Sequence, residues 1–179
     1  MKRVSRKKNV KVLEEEKAAN ELLAKKMVNE MDAAYEDDLA SLKQKKPALA
    51  KLKMLPKLEA LVKKTYLHEA LLSQGVLTMF ARWMKPAQKG SLPSLEVRSK
   101  LLELLVNMND IKWHNYHDDI RDSNIGRVIK YILKHPKEIP QNKQNAKKLV
   151  DLWTHSIIAA ESDPELNYDR NFPLSPLEK

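Results

Sequence analysis

The sequence has no cysteine and only three glycines in 179 residues. Without a thiol there is no disulfide framework, no thiolate metal site and no cysteine nucleophile, which suits an intracellular compartment. So few glycines exclude a phosphate-cradling loop and a β-rich fold with many tight turns. No apolar run approaches the ~20 residues that span a bilayer, so no membrane partner is expected. The opening Met1-Lys2-Arg3-Val4-Ser5-Arg6-Lys7-Lys8 does not lead into the apolar core of a signal peptide. No Ser/His/Asp motif, catalytic carboxylate pair or Walker loop can be pointed to, so no enzymatic activity and no cofactor are expected. The expected class is all-α and soluble.

What is abundant is positive charge. Lys and Arg total 33 against 24 Asp and Glu, a formal net charge of +9. Such an excess favours acidic partners: nucleic acid, an anionic surface or an acidic peptide. Residues 1–11 concentrate it, with Lys2, Arg3, Arg6, Lys7, Lys8 and Lys11 and no acid among them. They are expected to be a disordered basic tail, with Lys2, Arg3, Arg6, Lys7 and Lys8 as candidate nucleic-acid contacts. Lys51, Lys53, Lys57, Lys63 and Lys64 form a second basic band.

Residues 12–45 read as a charged helical arm, with a narrow stripe at Leu23, Met27, Met31, Tyr35 and Leu39. From 46 to 160 come short helices punctuated by proline. Ala48–Leu55 forms one; Pro56 is placed to start the next, where its missing N–H costs nothing. Leu58, Leu61 and Val62 face inward there. Thr65 can cap a third helix, and Gly75 suits the position just past its end. Val76, Leu77, Phe80, Trp83 and Met84 give the next apolar face. Ser94 can cap a long helix with Val97, Leu101, Leu104 and Met108 at i, i+4, i+7 and i+11, widened by Leu102 and Leu105. Trp113–Ile120 is a short helix or turn. Pro140 opens the last helix, with Ala146, Leu149, Val150, Trp153 and Ile157 on one face. Residues 161–179 read as an extended or disordered tail.

The most informative stretch is 122–136. Ser123 can accept a hydrogen bond from a backbone N–H two or three residues on. Ile125, Val128, Ile129, Ile132 and Leu133 follow at helical spacing, and Pro136 should end the helix at His135. Arg127, Lys130, Tyr131 and Lys134 lie off the apolar face, three and four residues apart and hence side by side. That strip suits a peptide carrying carboxylates around an aromatic anchor. Trp83 and Trp153 read first as core residues, each able to form a wall of such a groove. His114 and His117, followed by Asp118 and Asp119, form the one metal-like cluster, and they lack a third ligand at a known spacing.

From about Met31 to Ile158 the chain resembles the Iws/Spn family of transcription elongation factors, whose domain is of the TFIIS N-terminal (LW) type. The resemblance rests on Met31-Asp32-Ala33-Ala34-Tyr35-Glu36-Asp37-Asp38, Lys46-Pro47-Ala48-Leu49 and Lys51-Leu52-Lys53-Met54-Leu55-Pro56. It continues through Gly75-Val76-Leu77-Thr78, Trp83-Met84-Lys85-Pro86 and Gly90-Ser91-Leu92-Pro93-Ser94-Leu95-Glu96-Val97-Arg98. Ser123-Asn124-Ile125-Gly126-Arg127-Val128-Ile129 is similar to the family's Ser-Gly-Leu-Gly-Lys-Val-Val. Lys148-Leu149-Val150-Asp151-Leu152-Trp153 is similar to its closing Leu-Ile/Val-x-x-Trp. Two departures stand out: Asn124 replaces a glycine, and Thr154-His155-Ser156-Ile157 replaces Ser-Arg-Pro-Ile.

The resemblance implies a right-handed bundle or superhelix of short helices that acts as an interaction hub in the nucleus. Its implied partner is an acidic, phenylalanine-anchored disordered segment of the suppressor-of-Ty-six histone chaperone, within the RNA polymerase II elongation complex. Basic tails of the family contact DNA and histones, which gives residues 2–8 a role on that analogy. The alternative is a direct DNA-, RNA- or nucleosome-binding module acting through the tail and the lysine bands. A transcript-cleavage factor of the TFIIS type is set aside, because its zinc ribbon needs cysteines.

Overall fold

The computed structural model describes the backbone of residues 2–86 and 91–161, and side chains of residues 9–86 and 91–155. Every regular element among them is helical, and no helix there is long and apolar enough to cross a membrane. The chain divides into two compact units, Met1–Val76 and Leu77–Lys179.

The first unit is built on α1, Lys2–Lys43, which packs on α2 (Ala50–Val62) and α3 (His68–Ser73). Residues 2–43 contain neither glycine nor proline and are rich in Ala, Leu, Lys and Glu, so nothing local stops the helix. It therefore begins at Lys2 and not near Val12, and the expected disordered stretch at 1–11 is helical backbone from its second residue. The buried stripe also differs from the expected one. Ala24, Met27, Met31, Ala34 and Asp38 are buried, whereas Leu23 is exposed and Tyr35 and Leu39 are half-buried. A strict four-residue repeat drifts about 40° around the helix at each step, while alternating steps of three and four stay on one line.

Asp38 makes the second corner. Leu49, at the N-cap of α2, offers no side-chain cap. Asp38 supplies it from α1, its carboxylate accepting from Ala50 N at 2.7 Å and Lys51 N at 3.2 Å. Negative charge is favoured there because the first N–H groups of a helix point outward unpaired. Pro56 does not start a helix; it lies inside α2, on the exposed side. Leu55, Leu58, Leu61 and Val62 hold one continuous buried face across it. Thr65 does not cap; it opens a single 3-10 turn, Thr65–Leu67, that leads into α3. Gly75 follows the C-cap of α3 with φ +84°, the left-handed conformation expected just past a helix end.

α4, Val76–Met84, begins at the boundary, and its Val76, Leu77, Phe80, Trp83 and Met84 are all buried as expected. In the second unit α5 (Leu95–Asn107) buries Val97, Leu101, Leu102, Leu104 and Leu105. Ser94 holds the N-cap position without a side-chain bond. A 3-10 turn at Trp113–Tyr116 leads to α6 (His117–Asp122), α7 (Ile125–Lys134) and α8 (Pro140–Glu161). α8 is the spine of this unit: α5, α6, α7 and the Trp113 turn all pack on it. The extended or disordered tail expected at 161–179 lies outside the described residues, apart from helical backbone at Glu161.

Candidate partner-binding face

The corner between α6 and α7 is where the sequence placed the centre of the protein. Ser123 Oγ accepts from Ile125 N at 3.3 Å and donates to the Ile120 carbonyl at 3.1 Å. One hydroxyl thus closes α6 and opens α7. Asn124 takes φ 60°, ψ 11°, the left-handed region that asparagine tolerates better than other side chains. The replacement of the family glycine therefore preserves the turn.

α7 separates its two faces cleanly. Ile125, Val128, Ile129 and Ile132 are buried against neighbours that include α6 and α8, each burial contributing roughly 1.5–3 kcal/mol. At about 100° per residue, Arg127, Lys130 and Lys134 fall within roughly 60° of one another, opposite that stripe. Lys130 and Lys134 are exposed and Arg127 is half-buried. Tyr131 sits half-buried at the margin, its ring centroid 5.6 Å from that of His135 and tilted 55°. The helix stops where Pro136 requires, with His135 extended at ψ 127°.

The structure thus brings together four of the six expected peptide contacts and removes two. Trp83 is fully buried and Trp153 is 2% exposed, so neither presents a wall to a partner. Trp153 instead packs edge-on against Trp113, centroids 5.5 Å apart. Both sit on continuous apolar helical faces, which is why they are core. The side chains of Lys2, Arg3, Arg6, Lys7 and Lys8 lie outside the described residues.

The other two charged candidates are partly engaged by neighbouring side chains, while Lys53 and Lys64 stay exposed. In the 51–64 band, Lys57 pairs with Glu30, Lys63 with Glu59 at 2.8 Å, and Lys51 approaches Asp38 at 3.9 Å. Burial holds the Lys51 ammonium below its usual range, partly offset by Asp38. The face of Tyr35 also lies 5.5 Å from its nitrogen. In the histidine cluster, Asp118 is engaged by His117 at 3.1 Å and by Arg121 at 2.9 Å. Among the described residues no group of three His, Asp or Glu is set to hold a metal ion.

Besides the Asp38 cap, sequence reasoning missed a buried polar cluster around Arg98 and Glu138. Arg98 on α5 donates to Glu138 through Nε (2.7 Å) and Nη2 (3.1 Å), and through Nη1 to the Pro93 carbonyl. Glu138, in the turn between α7 and α8, also accepts from Ile139 N at 2.9 Å and Asn142 Nδ2 at 3.0 Å. Burial pushes its carboxyl up, but Arg98 and the two further donors outweigh that and leave it below the usual range. The partners are 40 residues apart, and no local pattern signals such a pair.

These features define a class: an all-α domain whose outer helices present charge over a packed interior. A model of the TFIIS helical bundle-like domain (Med26) matches residues 103–157. Among curated proteins, the chain is 33% identical over 137 residues to IWS1 homolog 1 of Arabidopsis thaliana, covering 76% of this chain and 27% of that one. It is 34% identical over 112 residues to transcription factor iws1 of Schizosaccharomyces pombe, covering 63% and 25%. With SPN1 of Saccharomyces cerevisiae the identity is 32% over 116 residues, covering 65% and 27%. The fold matches a chain in the crystal structure of an Spt6–Iws1(Spn1) complex from Encephalitozoon cuniculi, with TM-score 0.70 and 24% identity. That match covers 78% of this chain and 98% of the other. The chain belongs to the Iws/Spn family of transcription factors and carries its TFIIS-type helical domain. It spans about a quarter of the length of these curated relatives.

Proposed function

We propose that this chain is a nuclear transcription-elongation adaptor, working by binding and not by catalysis, whose partner is the Spt6 histone chaperone. The kinship with IWS1/SPN1 transcription factors supports the setting, and the Spt6–Iws1(Spn1) complex supports the partner. The observation that carries the reading is the segregation on α7 of a buried apolar stripe from an outward cationic arc. Arg127, Lys130 and Lys134 steer an acidic disordered segment, and the half-buried Tyr131 receives its phenylalanine anchor. Ordering such a segment costs free energy, so the expected affinity is near micromolar. Through Spt6 the chain would join the RNA polymerase II elongation complex.

Titration calorimetry with an acidic Spt6 segment tests this. Lys130→Glu with Lys134→Glu should weaken binding at least about tenfold, ~1.4 kcal/mol, with an unchanged melting curve. Normal binding by the double variant would move the peptide site off α7.

A further inference from the structure

The chain carries its own candidate occupant for the α7 face. Glu161, Asp163, Glu165 and Asp169 fall within nine residues that hold no Lys or Arg, with Tyr168 inside the run and Phe172 just beyond it. These are carboxylates around an aromatic anchor, the chemistry that suits the α7 face. The sequence has two phenylalanines, and Phe80 is fully buried in the core. An anchor of that type within this chain can therefore only be Phe172. On the receiving side Lys130 and Lys134 are exposed, and among the described residues no ion pair engages either.

The acidic run is also placed to reach that face. α8 turns back on α7 after five residues, and its Trp153 lies against Trp113, ahead of α6. With 22 residues against the 10 of α7, α8 overshoots the start of α7 by about 18 Å. Tyr131 stands about 9 Å further along α7, and passing around the helix adds roughly 10 Å. A chain leaving Glu161 thus has about 29 Å to cover. The eleven residues from Ser162 to Phe172 can span at most about 36–40 Å, enough to set Phe172 beside Tyr131 and Asp169 near Arg127.

We propose that residues 163–172 are an internal ligand of the α7 face, docking on Arg127, Lys130, Tyr131 and Lys134 until an acidic partner segment displaces them. The proposal rests on the assignment of α7 as the peptide face and adds a regulatory contact to that site. A tethered ligand acts at an effective concentration near millimolar. An intrinsic affinity of about 100 µM would then keep the face about nine-tenths occupied and weaken a competing segment about tenfold.

The test pairs titration calorimetry, with the acidic Spt6 segment as probe, with proton–nitrogen correlation spectra of the full chain. Asp163→Asn, Glu165→Gln, Asp169→Asn and Phe172→Ala together should tighten binding of the probe about tenfold. The same neutral variant should shift the backbone amides of Lys130, Tyr131 and Lys134. Asp163→Glu, Glu165→Asp and Asp169→Glu, which keep charge and anchor, should change neither measurement. Three results would overturn the proposal. Unmoved α7 amides in the neutral variant, while Lys130→Glu with Lys134→Glu still weakens the probe, would dismiss the internal ligand and keep the peptide face. Shifted amides with probe affinity unchanged in both variants would remove the peptide face itself, and the competition with it. Amide shifts that fade on dilution would assign the docked segment to a second copy of the chain.

Discussion

Two glycines show how far one residue's meaning depends on its backbone. Gly75 has φ +84° with open space where a side chain would go, so Gly75→Ala meets strain alone. It should lower stability by about 1–2 kcal/mol. Gly126 lies inside α7, where an added Cβ would find only Ile120 Cγ2 at 3.9 Å, an ordinary contact. Gly126→Ala should raise stability by about 0.4–1 kcal/mol, because alanine loses less backbone freedom on folding. Urea unfolding of the two variants should move in opposite directions. Asp38 adds a third case: Asp38→Ala leaves the N-terminus of α2 without its two accepted bonds. A loss of about 1–2 kcal/mol is expected by the same measurement.

At the scale of elements, proline decides less than its reputation suggests. Pro136 ends α7 because the residue before it must leave helical geometry, and α7 has nothing beyond it to bury. Pro56 fails to divide α2, because Leu55, Leu58, Leu61 and Val62 all belong to one buried face and Pro56 itself points to water. Pro56→Ala should therefore stabilise the domain by about 1–2 kcal/mol, restoring a helical donor without disturbing the core. Thermal melts followed by circular dichroism would show it.

At the scale of the whole molecule, the Arg98–Glu138 pair couples stability to pH. The Glu138 pKa is lowered in the folded chain from a reference of 4.5, so the folded state favours the charged form. Its contribution is fully present above about pH 4.5 and is lost as pH falls through the lower folded value. Acid denaturation should show this loss, and Glu138→Gln should flatten that limb while lowering stability at neutral pH. Removing Arg98 alone strands a buried carboxylate and should cost about 3–5 kcal/mol, more than removing an exposed pair. The same pairing hides the one acid between Ser123 and Val150, so a stability device also shapes the electrostatic surface.

The sequence by itself determined the helices and most of their inward faces, because 3.6-residue periodicity, Gly75 past a helix end and Pro136 after one act locally. It also determined the corner at Ser123 and Asn124 and the grouping of Arg127, Lys130, Tyr131 and Lys134 on one arc, since both follow from neighbours within a turn or two. Tertiary structure decided what depends on distant partners. It put Asp38 on the end of α2, Arg98 on Glu138, and Trp83 and Trp153 out of a ligand's reach. It also decided which lysines carry unanswered charge, because neutralisation depends on acids brought alongside by packing, and spacing along the chain does not encode which acids those will be.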